Sequence, residues 1–212
     1  MNENGFRIVF FGTPDFAVPS LKALLESRHK VELVVTQPDR PKGRGRKMAI
    51  SPVKKTALEA GVEISQPKSV NREDFLEKLT GPAPPDIFVV VAFGQIFSGR
   101  LLEIPGIGPI NVHASLLPRY RGAAPIQWAI INGERKTGVT TMFMKKGLDS
   151  GDILLSAETA IGAGETAGAL HDRLARLGAG VLLDTLDGLE KGNLEPKPQD
   201  HTRASYAPVL KK

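Results

Sequence analysis

The stretch Arg7-Ile-Val-Phe-Phe-Gly-Thr-Pro14, with the residues that follow it to Val35, decides the fold. Its apolar run at 7–11 predicts a strand, and Gly-Thr-Pro predicts a tight turn. Apolar residues at helical spacing over 16–27 then predict a helix, and Val31 to Val35 predicts a second strand. A strand, a helix and a second strand in this order form a β-α-β unit, in which the two strands run parallel.

Strand and helix patterns alternate through the rest of the chain. The continuous apolar run Asp86-Ile-Phe-Val-Val-Val-Ala92 predicts a strand that is buried on both faces. Residues 165–190 predict a long helix that Gly192 ends. The remaining patterns predict helices over 51–60, 71–79 (capped by Asn71) and 124–132, and strands over 110–113, 138–144 and 153–156. This alternation predicts a doubly wound α/β fold with a mostly parallel sheet, in a single domain.

Length and composition agree with one globular domain. The chain has 212 residues, of which 41% are hydrophobic and 24% charged, and cores split only beyond roughly 250 residues. We expect a catalytic domain over residues 1–195. Two prolines within three residues predict a linker over 196–212, with a downstream partner that is missing from the chain.

Several classes of protein are excluded by what the sequence lacks. No apolar run approaches the roughly 18 residues that a membrane helix needs, and the N-terminus lacks a secretory pattern. The chain has no cysteine, which removes disulfides, thiolate catalysis and cysteine metal ligands. We therefore expect a cytoplasmic protein.

Positive charge is concentrated in one segment. Between Arg40 and Lys55 lie seven basic residues and no acidic one, although the net charge of the whole chain is only +5. Glycines and a proline within 39–47 predict a loop rather than a helix. Such a loop can reach phosphates, since arginine offers a bidentate fork; a solvated loop is the alternative. Cations without compensating acids repel one another, which favours an anionic partner.

Three polar residues follow or end predicted strands. Asn111 and His113 are two residues apart, so they point to the same face of a strand. Asp149 lies in the small-residue loop 147–151. Ligands of doubly wound sheets bind outside the carboxyl ends of the strands. An amide that donates to an oxyanion, an imidazole that moves a proton and a carboxylate that orients the imidazole suit acyl transfer.

Each of these residues also has a structural interpretation. A histidine at a strand end is more often structural than catalytic, Asn111 alone would be a turn or cap residue, and Asp149 competes with Asp152 for loop amides. No cysteine or Gly-x-Ser-x-Gly elbow supplies a nucleophile, so a direct transfer is expected. Gly12-Thr13-Pro14 lacks the dinucleotide spacing, and no Walker lysine is present, so NAD and ATP have little support.

Four motifs together resemble the methionyl-tRNA formyltransferase family, over essentially the whole chain to Ser205-Tyr206-Ala207. The Asn-x-His motif with Ser-Leu-Leu-Pro and the later aspartate is shared by the wider formyltetrahydrofolate-using superfamily. The Thr36-Gln-Pro-Asp-Arg40 loop and the Arg-Gly-Ala-Ala-Pro-Ile-Gln stretch are more specific for the tRNA enzymes. The motifs are Phe11-Gly-Thr-Pro-Asp-Phe16, Thr36-Gln-Pro-Asp-Arg-Pro-Lys-Gly-Arg-Gly-Arg46, Asn111-Val-His-Ala-Ser-Leu-Leu-Pro-Arg-Tyr-Arg-Gly-Ala-Ala-Pro-Ile-Gln127 and Gly147-Leu-Asp-Ser-Gly-Asp152.

The resemblance implies 10-formyltetrahydrofolate as the donor and the α-amino group of initiator methionyl-tRNA as the acceptor, with no metal and no membrane partner. It implies a Rossmann-like fold, and we expect a monomer. The linker would lead to a smaller tRNA-binding β-barrel domain. The implied site residues are Asn111, His113 and Asp149 for catalysis; Ser115, Leu116, Leu117, Pro118, Gln95, Ile96 and Phe97 for the folate; and Arg44 with Arg40, Lys42, Arg46 and Lys47 for the tRNA.

Three alternatives stay open. The same three catalytic residues would serve a formyltransferase for a small amine, such as glycinamide ribonucleotide or an amino sugar, or a formyltetrahydrofolate hydrolase. A non-catalytic RNA-binding module would also explain the basic loop. Against the module, aromatic residues are only 6% of the chain, and the loop has none for base stacking.

Overall fold

Strands and helices alternate along the chain, as the sequence predicts. The computed structural model describes residues 5–42, 47–81 and 83–210, with only the backbone of Lys42 and Lys47. The chain divides into two compact units, Asn2–Pro109 and Ile110–Lys212. The strands are β1 (Arg7–Gly12), β2 (Lys30–Val35), β3 (Arg40–Lys42), β4 (Lys47–Ala49), β5 (Ile64–Ser65), β6 (Ile87–Val91), β7 (Gly108–His113), β8 (Lys136–Phe143) and β9 (Ile153–Ala160). The α-helices are α1 (Val18–Leu25), α2 (Pro52–Glu59), α3 (Glu73–Leu79), α4 (Gly99–Leu102), α5 (Pro125–Ile131) and α6 (Ala167–Glu190).

Parallel strands form the centre of the unit Asn2–Pro109. Their order is β5-β2-β1-β6, and each neighbouring pair in this set is parallel. All five residues of β6 are buried, which agrees with the apolar run that predicted this strand. Helices α1 and α2 contact β2. The β-α-β opening of the chain is therefore present as predicted.

Part of the predicted basic loop is an antiparallel ribbon. Arg40 pairs with Ala49, Pro41 with Met48 and Lys42 with Lys47, across β3 and β4. The sequence analysis does not predict this ribbon because each strand has only three residues and lacks the apolar alternation that marks a half-buried strand.

The unit Ile110–Lys212 is built on antiparallel strands. β8 pairs with β7 on one side and with β9 on the other, and α6 packs on β8 and β9. β9 extends to Ala160, four residues beyond the predicted end, and its burial alternates along its length. Among the described residues, no helix is long and apolar enough to span a membrane.

Residues after α6 make specific contacts. Lys197 exchanges two backbone hydrogen bonds with Ile153, each of 2.8 Å. A short 3-10 helix follows over His201–Arg203, and Ala207 bonds the backbone of Arg121. The described residues between 197 and 207 are thus held against the rest of the unit Ile110–Lys212. The predicted domain boundary at residue 195 stays a prediction.

One predicted helix cap is wrong. Helix α3 begins after Arg72, which makes no side-chain cap. Asn71 instead bonds a distant loop, because its amide donates to the Ile96 carbonyl at 2.9 Å and accepts from the Ser98 N–H at 2.8 Å. A long-range pair of bonds has replaced the local one that the pattern predicted.

Candidate active site

Strand β7 carries Asn111 and His113 on one face. In the ladder, Asn111 lies opposite Met142 and His113 lies opposite Thr140. Asn111 is half-buried, and no other described residue makes a hydrogen bond with its carboxamide. This amide is therefore free to donate to a ligand from a fixed strand.

Both ring nitrogens of His113 face oxygen atoms. Nε2 lies 2.9 Å from the carbonyl oxygen of Tyr120, and Nδ1 lies 3.7 Å from Oδ2 of Asp149. A carbonyl oxygen only accepts, so Nε2 carries a proton that it donates to Tyr120. The 3.7 Å separation is too long for a direct hydrogen bond. Nδ1 is therefore the ring nitrogen that is available to a substrate.

The conformation of the 147–151 loop holds Asp149 beside the imidazole. Asp149 adopts a left-handed φ of 43°, and its Oδ2 accepts a 2.7 Å hydrogen bond from the N–H of Gly122. The loop ends at Gly151, where a Cβ atom would lie 1.7 Å from the Phe143 carbonyl oxygen. Only glycine allows this close approach, so the loop conformation is specified by sequence.

Asp152 is not a competitor for this position. Its carboxylate forms a 2.7 Å ion pair with Lys145. Asp149 keeps a side chain that is 16% exposed, and His113 one that is 7% exposed. The structure thus brings His113 and Asp149 together, with Asn111 two residues away on the same strand. The catalytic role of these three residues stays a prediction.

The turn at 115–118 is held from inside by a residue that the sequence analysis missed. Thr140, which is fully buried, donates to the Ser115 carbonyl at 2.7 Å and accepts from the Leu117 N–H at 3.1 Å. The Ser115 hydroxyl donates to the Arg119 carbonyl at 2.6 Å. The side chain of Ser115 is therefore occupied within the turn. A polar residue predicted on the buried strand β8 is the signal that could have found Thr140.

The predicted pterin contacts Gln95, Ile96 and Phe97 lie in the unit Asn2–Pro109. The Gln95 amide oxygen accepts from the Val70 N–H at 2.9 Å. Phe97 is buried and meets Phe11 edge to face, with ring centroids 4.9 Å apart, whereas Ile96 is 88% exposed. Buried neighbours thus fix the backbone of this segment and present one apolar side chain to solvent.

The basic ribbon is the pair of strands β3 and β4. Its side chains are described only at the end that carries Arg40, Pro41, Met48 and Ala49, which we call the base. Arg40 is exposed and donates to the Gln37 amide oxygen at 3.3 Å. Arg44 and Arg46 lie outside the described residues, and Lys42 and Lys47 are described by backbone alone. An open cleft of about 530 Å³ lies beside the base. Its lining includes Thr13, Gln37, Arg40, Ile50, Pro52 and Phe93.

A closed network anchors the ribbon base. Asp39 accepts from Lys54 at 2.6 Å and from the Gln66 amide at 2.8 Å. The hydrogen bond from Lys54 is the main cause that lowers the pKa of Asp39 below its usual value, with Gln66 second. Lys55 lies 3.9 Å from Glu59. The expectation that no acid compensates the seven cations is therefore wrong for Lys54 and Lys55.

The sequence matches one family along most of its length. A family model described as formyl transferase covers residues 6–186, and the chain therefore belongs to the formyl transferase family. Within the described residues, no cluster of three or more histidine, aspartate or glutamate side chains could hold a metal ion.

The curated relatives that the chain matches include methionyl-tRNA formyltransferases. The chain is 55% identical over 208 residues to the methionyl-tRNA formyltransferase of Citrifermentans bemidjiense, a match that covers 98% of this chain and 65% of that protein. It is 51% identical to the methionyl-tRNA formyltransferase of Clostridioides difficile, covering 97% of this chain and 66% of that protein. The chain thus spans about two thirds of the length of these relatives.

Solved structures share the fold at low sequence identity. Glycinamide ribonucleotide transformylase 1 from Symbiobacterium toebii superposes with a TM-score of 0.75 at 20% identity, covering 94% of this chain and 96% of that one. An N-formyltransferase from Helicobacter canadensis, solved with folinic acid and dTDP-3-aminofucose, gives 0.72 at 20% identity, with coverage of 96% and 71%. These matches confirm the predicted fold class, a doubly wound, mostly parallel, Rossmann-like α/β fold in a single domain.

Proposed function

We propose that the chain transfers the formyl group of 10-formyltetrahydrofolate to the α-amino group of methionine on initiator methionyl-tRNA. The observation that carries this proposal is the pair His113 and Asp149, with Nδ1 and Oδ2 3.7 Å apart, next to the free carboxamide of Asn111. Membership of the formyl transferase family supports the reaction class. The names of the relatives support the acceptor.

The proposed reaction needs no nucleophile from the protein. The neutral amine attacks the formyl carbon, a C–N bond forms, and the carbonyl oxygen becomes an oxyanion. The bond from the formyl carbon to N10 of the folate then breaks, and tetrahydrofolate leaves with the proton that the amine has lost. Since the pKa of an α-amino group is about 8, a usable fraction of the acceptor is already neutral at pH 7.

Each residue of the site has a distinct role in this scheme. The Asn111 amide donates a hydrogen bond to the oxyanion, which is the largest contribution expected of one polar group. Protonated His113 also stabilises the oxyanion, and it does so through Nδ1, since Nε2 donates to Tyr120. Asp149 stabilises the charged imidazole and accepts a proton from the amine, directly or through water.

Folate binding is assigned to two backbone segments. The turn of Ser115, Leu116, Leu117 and Pro118 offers peptide groups rather than the Ser115 hydroxyl, which donates to Arg119. The segment Gln95-Ile96-Phe97 offers peptide groups and the exposed Ile96 side chain. A flat pteridine ring would bind such peptide edges by hydrogen bonds and cover an apolar side chain.

The tRNA acceptor end is assigned to the basic ribbon. Arg44, Arg40, Lys42, Arg46 and Lys47 are the proposed contacts. Arg40 supports this assignment because it is exposed, and its described partner, Gln37, is neutral. We propose that the reaction takes place in the cytoplasm and that the chain acts as a monomer.

A transfer assay with separate acceptors tests the proposal. The protein is mixed with 10-formyltetrahydrofolate labelled in the formyl group and, in separate reactions, with charged initiator tRNA, glycinamide ribonucleotide, an amino sugar nucleotide or no acceptor. We expect label in the methionyl ester alone. Label in a small amine supports the small-amine transferase, release as formate without acceptor supports the hydrolase, and tRNA binding without turnover supports a non-catalytic RNA-binding module.

A further inference from the structure

One loop contacts both members of the His113–Asp149 pair. The carbonyl oxygen of Tyr120 accepts from Nε2 of His113, and the N–H of Gly122 donates to Oδ2 of Asp149. Tyr120 and Gly122 have φ angles of 60° and 116°, in the region that favours glycine. The geometry of the pair therefore depends on the backbone conformation of residues 120–122.

Residues 205–207 hold this loop from outside. The Arg121 N–H donates to the Ser205 carbonyl at 2.8 Å, and the Arg121 carbonyl accepts from the Ala207 N–H at 2.7 Å. The Tyr120 N–H donates to the Ser205 hydroxyl at 2.9 Å. A Cβ atom at Gly122 would lie 2.9 Å from the Ala207 carbonyl oxygen. The two segments are thus in close backbone contact.

The side chain of Gln199 links the 120–122 loop to the loop that carries Asp149. Its amide nitrogen donates to the carbonyl oxygens of Asp149, at 3.0 Å, and Gly151, at 2.7 Å. Its amide oxygen accepts from Nε and Nη2 of Arg121, at 3.1 and 2.6 Å. Gln199 is 6% exposed and Arg121 is 4% exposed. One buried side chain therefore bridges the two loops that flank the catalytic pair.

The chemistry of this bridge requires an amide. Asp149 and Gly151 present acceptors, and Arg121 presents donors, so the side chain between them must both donate twice and accept. A carboxylate would pair better with the buried guanidinium, but it would set oxygen against two carbonyl oxygens. The amide of Gln199 therefore pairs less strongly with Arg121 than a carboxylate would, but it can also hold the backbone of the Asp149 loop.

We propose that Gln199 is a positioning residue for formyl transfer, with Arg121 as the group that orients it. Gln199 holds the backbone of Asp149 so that its carboxylate stays beside Nδ1 of His113. The family model ends at residue 186, so this contribution comes from outside the matched region. The catalytic effect rests on the proposed function, whereas the geometric effect does not.

Two substitutions in the complete chain separate positioning from simple stability. Gln199→Met keeps a similar volume but removes the donors and the amide oxygen, and Gln199→Glu keeps an acceptor for Arg121 but removes both donors. We expect kcat to fall about 10- to 100-fold in both variants, with KM for both substrates changed less than about twofold. The pH profile of kcat should also change. Glu195→Ala, an exposed change in the same segment, is the control.

The assay is made at a temperature at which circular dichroism shows each variant folded. If Gln199 contributes only to stability, the folded variants keep the wild-type kcat and pH profile, and this result overturns the proposal. If Gln199→Met does not fold, Gln199→Glu decides alone, because it retains the contact with Arg121. A loss of kcat of the same size in Glu195→Ala also overturns the proposal.

A measurement without substrate separates this proposal from the proposed function. The imidazole ¹⁵N resonances of His113, assigned by their loss in His113→Asn, should shift in Gln199→Met and not in Glu195→Ala. A shift in a protein that transfers no formyl group supports positioning and contradicts the proposed function. Unchanged resonances in the folded Gln199→Met variant contradict positioning.

Discussion

The two compact units hold their key carboxylates in different ways. In the unit Asn2–Pro109, Asp39 bonds Lys54 and Gln66 with both oxygens, so the network is closed. In the unit Ile110–Lys212, Asp149 receives one backbone N–H and stands 3.7 Å from His113. Its backbone, rather than its carboxylate, is held by Gln199.

The comparison distinguishes a carboxylate that positions from one that can react. Each oxygen of Asp39 accepts a hydrogen bond from a side chain of the same unit, whereas the hydrogen bond to Asp149 reaches only Oδ2. Asp149 keeps unused accepting capacity next to an uncommitted ring nitrogen. The closed network of Asp39 is expected to fix the base of the basic ribbon. Asp149 and His113 are expected to exchange protons with a substrate.

Loss of the Asn111 amide should have the largest effect and would sharpen the comparison. Asn111→Ala removes the proposed oxyanion donor, so kcat for formyl transfer should fall about 10²- to 10³-fold. The fold should be intact, because no described residue bonds this amide. Steady-state kinetics and thermal unfolding check both points. Asn193→Ala, at an exposed position, serves as the matched control, and near-wild-type turnover in Asn111→Ala would remove Asn111 from the mechanism.

Charge reversal at the ribbon base should have the next largest effect. Arg40→Glu should raise KM for charged tRNA about 10- to 100-fold, since a hydrogen bond to a charged group contributes roughly 1.5–3 kcal/mol. The salt dependence of tRNA binding should become weaker, because one phosphate contact is lost. KM for 10-formyltetrahydrofolate should not change. The control is Lys22→Glu on helix α1, and equal effects of the two variants would contradict a specific role for the ribbon.

Removal of the Thr140 hydroxyl, which supports the 115–118 turn, should have a smaller effect. Thr140→Val keeps the side-chain shape but leaves the Leu117 N–H without its acceptor. The free energy of unfolding should fall by about 1–3 kcal/mol, the usual range for a buried unsatisfied group. Urea denaturation measures this change, with the exposed Thr80→Val as control. KM for the folate should rise in parallel if the turn binds it, and an unchanged KM would separate the turn from the folate site.

The closed network should respond to pH with the smallest effect. The folded pKa of Asp39 is lowered, so its contribution to stability is present above the unfolded value of about 3.9 and is lost as the pH falls through the folded value. Asp39→Asn should therefore be less stable than wild type at pH 7, with a difference that shrinks below about pH 4. Denaturation at several pH values tests this expectation. In a Lys54→Met background the pH-dependent difference should be much reduced, and an undiminished one would contradict the role of Lys54.

Much of the site could be predicted because its signals are local. The apolar run of β6 and the helical spacing of α6 gave their elements from consecutive residues. Asn111 and His113 could be placed on one face because strand side chains alternate with period two. The loop around Asp149 could likewise be predicted from consecutive small residues.

The missed contacts join residues that are far apart in the chain. Asn71 was predicted to cap its own helix, yet it bonds residues 25 and 27 positions away. Arg121 and Gln199 are 78 positions apart. No pattern of consecutive residues encodes such a pair.

The sequence by itself determined the alternation of strands and helices, the concentration of cations between Arg40 and Lys55, and the identity of the three candidate catalytic groups. Periodicity, turn chemistry and charge are properties of neighbouring residues, so they can be read before the chain is folded. Only the tertiary structure decided that Asp149 rather than Asp152 stands beside His113, and that Gln199 holds its loop. Those outcomes depend on which distant polar groups become neighbours once the apolar core has formed.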